Sequence, residues 1–123
     1  MRTKTELVAE YLETVWNRGR TDLAADYPAE DLAQHNPNPP DGRAALVEFI
    51  DGTRAQLPGM RFTVERTVAE ADLVAAHSHF APEPGARGVA VVDIFRVAEG
   101  LIVEHWDVSE AVPDATASGR EVV

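Results

Sequence analysis

The sequence contains no cysteine, so disulfide frameworks, thiolate metal sites and cysteine nucleophiles are all excluded. Basic residues are scarce as well, because 11 lysines and arginines stand against 21 aspartates and glutamates, for a formal net charge of −10. Proteins that bind a phosphate backbone or an anionic lipid surface need a basic patch. We therefore expect neither nucleic acid nor a membrane as a partner.

Long apolar runs are also missing. No stretch approaches the roughly 18 apolar residues of a membrane span, and the N-terminal MRTKTELVAE lacks the apolar centre of a signal peptide. Glycine-rich phosphate loops and the G-x-S-x-G nucleophile motif do not occur. The default expectation is a cytoplasmic protein.

What is present is enough for one domain with a sizeable core, since the chain has 123 residues and is 45% hydrophobic. We expect that domain to occupy residues 1–112, with residues 113–123 as a flexible C-terminal tail.

The N-terminal half has helical periodicity. Apolar residues recur at helical spacing over residues 3–18, where Thr3 and Glu6 have the spacing of a capping box. A short second helix is predicted at 21–27 and a third at about 41–58. Between them LAQHNPNPPDG is interrupted by prolines, which predicts a short extended piece that runs into a rigid loop.

From residue 60 onward the composition changes to segments rich in Val and Ile, which are typical of strands. The four candidates are RFTVERTVAE, DLVAAHSHFAP, GVAVVDIFRVA and LIVEHWDVSEAV. Helices followed by such a meander predict an α+β fold, in which the N-terminal helices pack against a curved, mostly antiparallel sheet.

Ionisable residues interrupt the last two strands, and the two-residue alternation of a strand sorts them by face. Asp93 shares a face with Val91 and Phe95, and His105 shares a face with Asp107. Ionisable groups set in apolar walls titrate away from their values in water and can perform acid–base chemistry.

The expected register brings these groups together. If Val97 lies opposite Leu101, then Asp93 lies opposite His105, within hydrogen-bonding reach. The other face is apolar and carries Val92, Ile94, Ile102, Trp106 and Val108. Helices cover one side of the sheet only, so we expect a second copy of the chain to cover this outer face in a homodimer.

Three motifs carry a resemblance. QHNPNPPDG, DLVAAHSHF and VVDIFRVAEGLIVEHWDV are similar to the SnoaL-like polyketide cyclase group of the NTF2-like superfamily, whose α+β cone also occurs in ketosteroid isomerases and limonene epoxide hydrolases. The resemblance extends to about residue 110. It implies ring closure of an apolar, carbonyl-bearing small molecule by intramolecular aldol condensation, or related isomerase chemistry, without a metal or another cofactor.

The resemblance also implies residue roles. Asp107 in EHWD matches the proposed acid/base, and Asp93 is placed like the acidic residue of the epoxide hydrolases. Those hydrolases have an arginine two residues before the acid, where this chain has Val91, which argues against epoxide opening. We expect His105 to polarise a substrate oxygen and His35 to lie at the pocket mouth.

The expected catalytic set is thus Asp107, His105, Asp93 and His35, and the expected substrate-binding set is His77, Phe95, Val91 and Trp16. Other interpretations stay open. Asp93 and His105 could form a purely structural ion pair, and the H-x-H spacing of His77 and His79 could hold zinc or iron.

A non-catalytic binding or dimerisation module of the same fold is the alternative function. An open apolar pocket of several hundred Å³ would favour the enzyme.

Overall fold

The computed structural model describes residues 2–123. The helical half contains α1 (Lys4–Tyr11), a π-helical segment (Leu12–Asn17), a 3-10 helix (Thr21–Asp26) and α2 (Arg43–Gln56). The strands are β1 (Pro28–Gln34), β2 (Arg61–Glu70), β3 (Leu73–Ala81), β4 (Val89–Ala98) and β5 (Leu101–Ala111). The three predicted helical regions and the four predicted strands are therefore confirmed in position, while β1 begins at Pro28, before the predicted extended piece.

The first helix begins at the predicted capping box. The hydroxyl of Thr3 accepts a hydrogen bond from the backbone N–H of Glu6 at 3.1 Å, and the Glu6 carboxylate accepts one from the N–H of Thr3 at 3.4 Å. This reciprocal pair satisfies two of the N–H groups that the first turn leaves without a partner.

The same helix changes character at Leu12, where it widens into the π-helical segment. At 3.6 residues per turn, side chains five positions apart point about 140° away from each other. The wider π turn, with its i→i+5 hydrogen bonds, brings such positions onto one side. Trp16 thereby lies over Tyr11, and its indole N–H donates to the Tyr11 hydroxyl at 3.0 Å.

The five strands form one sheet in the order β1-β5-β4-β3-β2. β1 runs parallel to β5, and the other neighbouring strands are antiparallel. α1, the π-helical segment and α2 supply one half of the buried core, and the inward face of the sheet supplies the other. The core includes Val8, Leu12, Val15, Leu32, Ile50, Val74, Phe95 and Ile102. The predicted α+β fold is confirmed.

The register of the last hairpin differs from the prediction. Glu99 and Gly100 both have positive φ, as a two-residue hairpin turn requires, and Asp93 pairs with Asp107. A bulge before Val97 adds one more residue on β5. The predicted pairing of Asp93 with His105 is wrong by two residues, and an even shift keeps both side chains on the same face.

The bulge also moves one residue between faces. Ile102 was predicted on the outer face, yet it is 1% exposed and belongs to the core, because it pairs with the inward Val97. The outer face keeps an apolar groove lined by Leu73, Val92, Ile94, Arg96, Trp106, Asp107 and Val108. Its coverage by a second copy stays a prediction.

Residues 112–123 contain no helix or strand. The division into a domain and a flexible tail stays a prediction. Within residues 2–123, no helix is both long and apolar enough to cross a membrane.

Candidate active site

A cavity of about 210 Å³ lies between the helices and the inward face of the sheet. It is open, as the enzyme hypothesis requires, but smaller than the several hundred Å³ expected. Its walls are mostly apolar and include the aromatic side chains of Tyr11, Trp16, Phe49, Phe62, Phe80 and Phe95. Of the predicted substrate-binding residues, Trp16, Phe95 and Val91 line this cavity.

Three ionisable side chains meet in the cavity. Asp93, His105 and Asp107 each contribute a ligand-type atom, and these atoms lie within 4.8 Å of one another. Nε2 of His105 lies 2.8 Å from Oδ1 of Asp93. Asp93 is buried and His105 is largely so, with side-chain exposures of 8% and 14%. The structure places these three residues together, and their catalytic roles stay a prediction.

Two amide side chains that the sequence analysis did not single out orient the cluster. The Gln34 side-chain oxygen accepts a hydrogen bond from the backbone N–H of Asn36 at 3.1 Å, so this atom must be the oxygen. The same oxygen lies 2.7 Å from Nδ1 of His105. Because an amide oxygen only accepts, Nδ1 must carry a proton and donate it.

This assignment determines what lies between His105 and Asp93. With Nδ1 protonated, a neutral His105 would present a lone pair at Nε2, and an ionised Asp93 would present another at 2.8 Å. Two lone pairs do not attract each other, so one proton must lie in this contact. The pair is therefore either an imidazolium with a carboxylate or a neutral imidazole with a carboxylic acid.

Burial favours the neutral form of Asp93. Desolvation raises the pKa of this carboxyl above its ordinary value, and the negative charge of Asp107 on the paired strand position raises it further. The hydrogen bond and charge of His105 oppose this shift. Among residues 2–123, Oδ2 of Asp93 has no hydrogen-bond partner, which adds to the cost of ionisation.

Asp107 is held separately by Asn36. The Asn36 amide donates to Oδ2 of Asp107 at 2.7 Å, while its own oxygen accepts from the N–H of Asn38 at 2.9 Å. That second bond identifies the amide nitrogen as the atom facing Asp107. The carboxylate thus has a fixed orientation beside the Asp93–His105 pair.

A hydroxyl also lines the cavity. Tyr11 is 4% exposed, and burial raises its pKa well above the usual range, so it stays protonated. Its oxygen accepts the indole N–H of Trp16 at 3.0 Å. Since that bond uses a lone pair, the phenolic proton of Tyr11 remains available to a substrate.

His35 does not lie at the pocket mouth, so this prediction is wrong. Its backbone N–H pairs with the carbonyl of His105, and the side chain points to the outer face. There its ring stacks on Trp106, with 4.8 Å between centroids, and Nε2 lies 2.7 Å from Glu104. The bond from His35, together with the Arg96 guanidinium, lowers the pKa of Glu104.

His77 is also on the outer face, which contradicts its predicted place in the pocket. Its neighbours Ala76 and Ser78 are fully buried, so alternation directs His77 outward, where Nδ1 contacts Arg66. His79 points the same way and contacts the carbonyl of Arg87. Neither histidine reaches the carboxylates in the cavity.

A divalent cation would find its ligands in the cavity cluster. Asp93, His105 and Asp107 offer the two carboxylates and one imidazole that such an ion can use. To bind the ion, Asp93 and His105 would have to release the proton between them. The ion would also have to compete with the Asn36 amide for the Asp107 carboxylate. The side chains as they stand are arranged to hold a proton.

Comparison with known proteins identifies the fold. The SnoaL-like domain family matches residues 8–105, which ends two residues before Asp107. Among curated proteins, none is similar enough in sequence to count as a relative.

Several solved structures are similar. IdmH from Streptomyces antibioticus, to which polyketide cyclase activity is ascribed, shares 25% identity with a TM-score of 0.73, over 89% of this chain and 93% of its own. A SnoaL-like polyketide cyclase from Agrobacterium tumefaciens has a TM-score of 0.76 at 16% identity, over 89% and 93%.

A protein of Kribbella flavida ascribed to the ketosteroid isomerases has a TM-score of 0.70 at 24% identity, over 89% of this chain and 79% of its own. These likenesses agree with the observed cone of helices on a curved sheet. With residues 8–105 matched, this chain belongs to the SnoaL-like domain family.

Proposed function

We propose that this protein is an acid/base enzyme that removes a proton next to a carbonyl group of an apolar small molecule and needs no cofactor for that step. One observation carries the proposal. Asp107, a carboxylate held by Asn36, lies beside an Asp93–His105 pair that holds one proton, and all three residues line an aromatic cavity. A base and an acid are thus a few ångströms apart.

In the proposed first step, Asp107 is the base. Its carboxylate removes the α-proton, and the electron pair of that C–H bond moves into the bond towards the carbonyl carbon. The carbonyl oxygen gains negative charge as this happens. The Asn36 hydrogen bond orients the carboxylate for the transfer without neutralising it.

The developing oxygen charge is then met by the proton between His105 and Asp93. That proton passes to the oxygen and yields an enol. The bond from Nδ1 of His105 to Gln34 keeps the ring oriented throughout. The protonated hydroxyl of Tyr11 is a second donor in the same cavity.

The enol can react in two ways with the same acid and base residues. In an aldol closure, the enol carbon attacks a second carbonyl carbon of the same molecule, the enol O–H proton returns to the His105–Asp93 pair as the first carbonyl re-forms, and the new alkoxide takes the proton that Asp107 had removed. In an isomerisation, Asp107 returns its proton to a different carbon, and the enol O–H proton returns to the pair. The likeness to proteins ascribed to both activities supports either outcome.

The alternative, a non-catalytic binding module, is less well supported. A binding module would need the aromatic walls but has no use for a proton held between buried side chains. Placing Asp93 in this environment costs stability, since burial disfavours its ionised form.

Asp107→Asn tests the proposal. Asparagine keeps the size of the side chain but cannot accept a proton, so turnover should fall by about 10²–10⁴-fold while ligand affinity stays within a few-fold. Exchange of α-protons of a cyclic ketone in D₂O, followed by NMR, measures this. Asp31→Asn, an exposed change on β1, is the matched control. Unchanged exchange in Asp107→Asn would remove this residue from the mechanism.

A further inference from the structure

Resting on the proposed function, we infer that the substrate is an uncharged carbonyl compound of one ring or two fused rings, and not a polycycle of four. Three features of the cavity lead to this substrate class. They are its volume, the continuity of its aromatic wall and the signs of its charges.

The volume limits the number of rings. A cavity of about 150 Å³ accommodates one benzene ring. The cavity here is about 210 Å³ and open, so by the same proportion it encloses roughly one and a half such rings. Two rings would need up to about 300 Å³ and four about 600 Å³ on this scale. A substituted single ring fits inside, the second ring of a fused pair lies partly in the open mouth, and a tetracycle would leave more than half of its volume outside.

The wall is a continuous series of aromatic rings that ends at the acid–base cluster. At one end Phe95 stacks on His105, with centroids 4.9 Å apart. At the other, Trp16 meets Phe62 edge-on at 5.4 Å, and Phe62 lies 4.9 Å from Phe80.

Tyr11 joins the two ends through its contact with Phe95 and its hydrogen bond from Trp16. Flat rings gain most from such walls. Because this series of rings ends at His105, a flat ring packed against it has its carbonyl substituent facing His105.

The charges exclude an anionic substrate. Among the residues that line the cavity there is no lysine or arginine, and His105 shares its proton with Asp93. Asp107 adds a negative charge, so a carboxylate on the substrate would be repelled in a site of low dielectric constant. The net charge of −10 acts in the same direction at longer range.

Binding of four ketones and acids of defined size tests this inference. Trp16 reports on the cavity, while Trp106 lies on the outer face, so a Trp106→Phe background makes Trp16 the only tryptophan. The ligands are acetophenone with one ring, 1-tetralone with two, a steroid ketone with four, and 1-naphthoate as the charged match for 1-tetralone. Quenching of Trp16 fluorescence gives each Kd.

We expect 1-tetralone and acetophenone to bind at least about tenfold more tightly than the steroid ketone and 1-naphthoate. Equal or tighter binding of the steroid ketone would overturn the size limit. Equal binding of 1-naphthoate would overturn the charge limit, and a lack of saturable quenching by either small ketone would overturn the substrate class.

An enlarged cavity provides a second test. Phe80→Ala removes one ring from the apolar end, and Phe80→Leu is the matched control that retains most of the volume. In Phe80→Ala, the affinity for a three-ring ketone relative to that for 1-tetralone should rise about tenfold. In Phe80→Leu, this ratio should stay at its wild-type value. Phe49→Ala enlarges the same cavity from α2 and serves if the first variant does not fold. No gain in a folded enlarged variant would contradict the inference.

The inference and the proposed function fail in different ways. If 1-tetralone binds selectively but its α-protons do not exchange in D₂O, the substrate class stands as a ligand class and the catalytic proposal is wrong. If exchange occurs with the steroid ketone as readily as with 1-tetralone, the catalytic proposal stands and the size limit is wrong.

Discussion

The proton between His105 and Asp93 yields the sharpest prediction, and Asp93→Asn tests it. Asparagine can place an amide N–H towards Nε2, so a hydrogen bond remains where the 2.8 Å contact now lies. His105 keeps its Nδ1 proton on Gln34. The variant thus preserves the geometry and removes the one proton that the pair could give to a substrate.

The expected loss follows from the role of that proton. General acid catalysis contributes about 10²–10⁴-fold, which is roughly 3–6 kcal/mol of transition-state stabilisation at about 1.4 kcal/mol per factor of ten. Turnover in Asp93→Asn should fall by that factor, and binding of 1-tetralone should change little. The Asp31→Asn variant, altered on the exposed side of β1, should keep wild-type turnover.

Stability should change in the opposite direction. Burial raises the pKa of Asp93, so the folded protein binds this proton more tightly than the unfolded chain does. The contribution of Asp93 to the free energy of unfolding is then fully present below the ordinary aspartate pKa and is lost as the pH rises through the raised value. Asp93→Asn should lose this part of the pH dependence and be the more stable protein at neutral pH.

Three measurements check these expectations. Urea unfolding at a series of pH values gives the stability, proton exchange in D₂O gives turnover, and ¹⁵N NMR of the histidines gives the protonation of Nε2. In Asp93→Asn at neutral pH, Nε2 of His105 should have the chemical shift of an unprotonated nitrogen. Wild-type turnover in this variant, or a protonated Nε2, would refute the reasoning.

Three further predictions concern the rest of the molecule. His35→Gln should leave turnover within about twofold, because its ring lies on Trp106 outside the cavity; a large loss would mean that the outer face acts on the site. Gly88→Ala should lower the free energy of unfolding by about 2–4 kcal/mol, since its φ is +62° and the new Cβ would also collide with the carbonyl of Phe80. Gly85→Ala has the same backbone strain, with a φ of +81°, but open space around it, so it should cost only about 1–2 kcal/mol in urea unfolding; equal losses would contradict the steric argument. Val108→Lys should weaken the predicted homodimer, because this side chain is 70% exposed on the apolar outer face, and a monomeric wild type in sedimentation at micromolar concentration would contradict that dimer.

Strand alternation identified the three cavity residues even though the predicted register was wrong. Asp93, His105 and Asp107 were assigned to one face by a rule of period two, and the real register differs by two residues. A register error of two residues changes the cross-strand partner of a side chain but leaves that side chain on the same face of the sheet. On the turn side of the bulge the register differs from the prediction by one residue, so the predicted face of Ile102 was wrong. This side chain lies in the core and not on the outer face.

His35 was placed at the pocket mouth by the resemblance, and strand alternation offers no check on β1 because that strand is irregular. The pairing of β1 with β5 shifts register between Pro28 and Ala33, so alternation cannot be counted through it. The QHN motif offers two opposite sets of side chains. In the fold, Gln34 and Asn36 point to the cavity and His35 points away.

The sequence by itself determined the local structure of this protein, because capping, turns and periodicity depend on neighbours a few residues apart. The box at Thr3, the turn at Glu99–Gly100 and the order of helices and strands are of this kind. Only the tertiary structure decided that Gln34 meets His105 and that Asn36 meets Asp107, both pairs 71 residues apart in the chain. Contacts of that range also set the protonation of the site and the volume of its cavity, since both depend on how the helices close over the sheet.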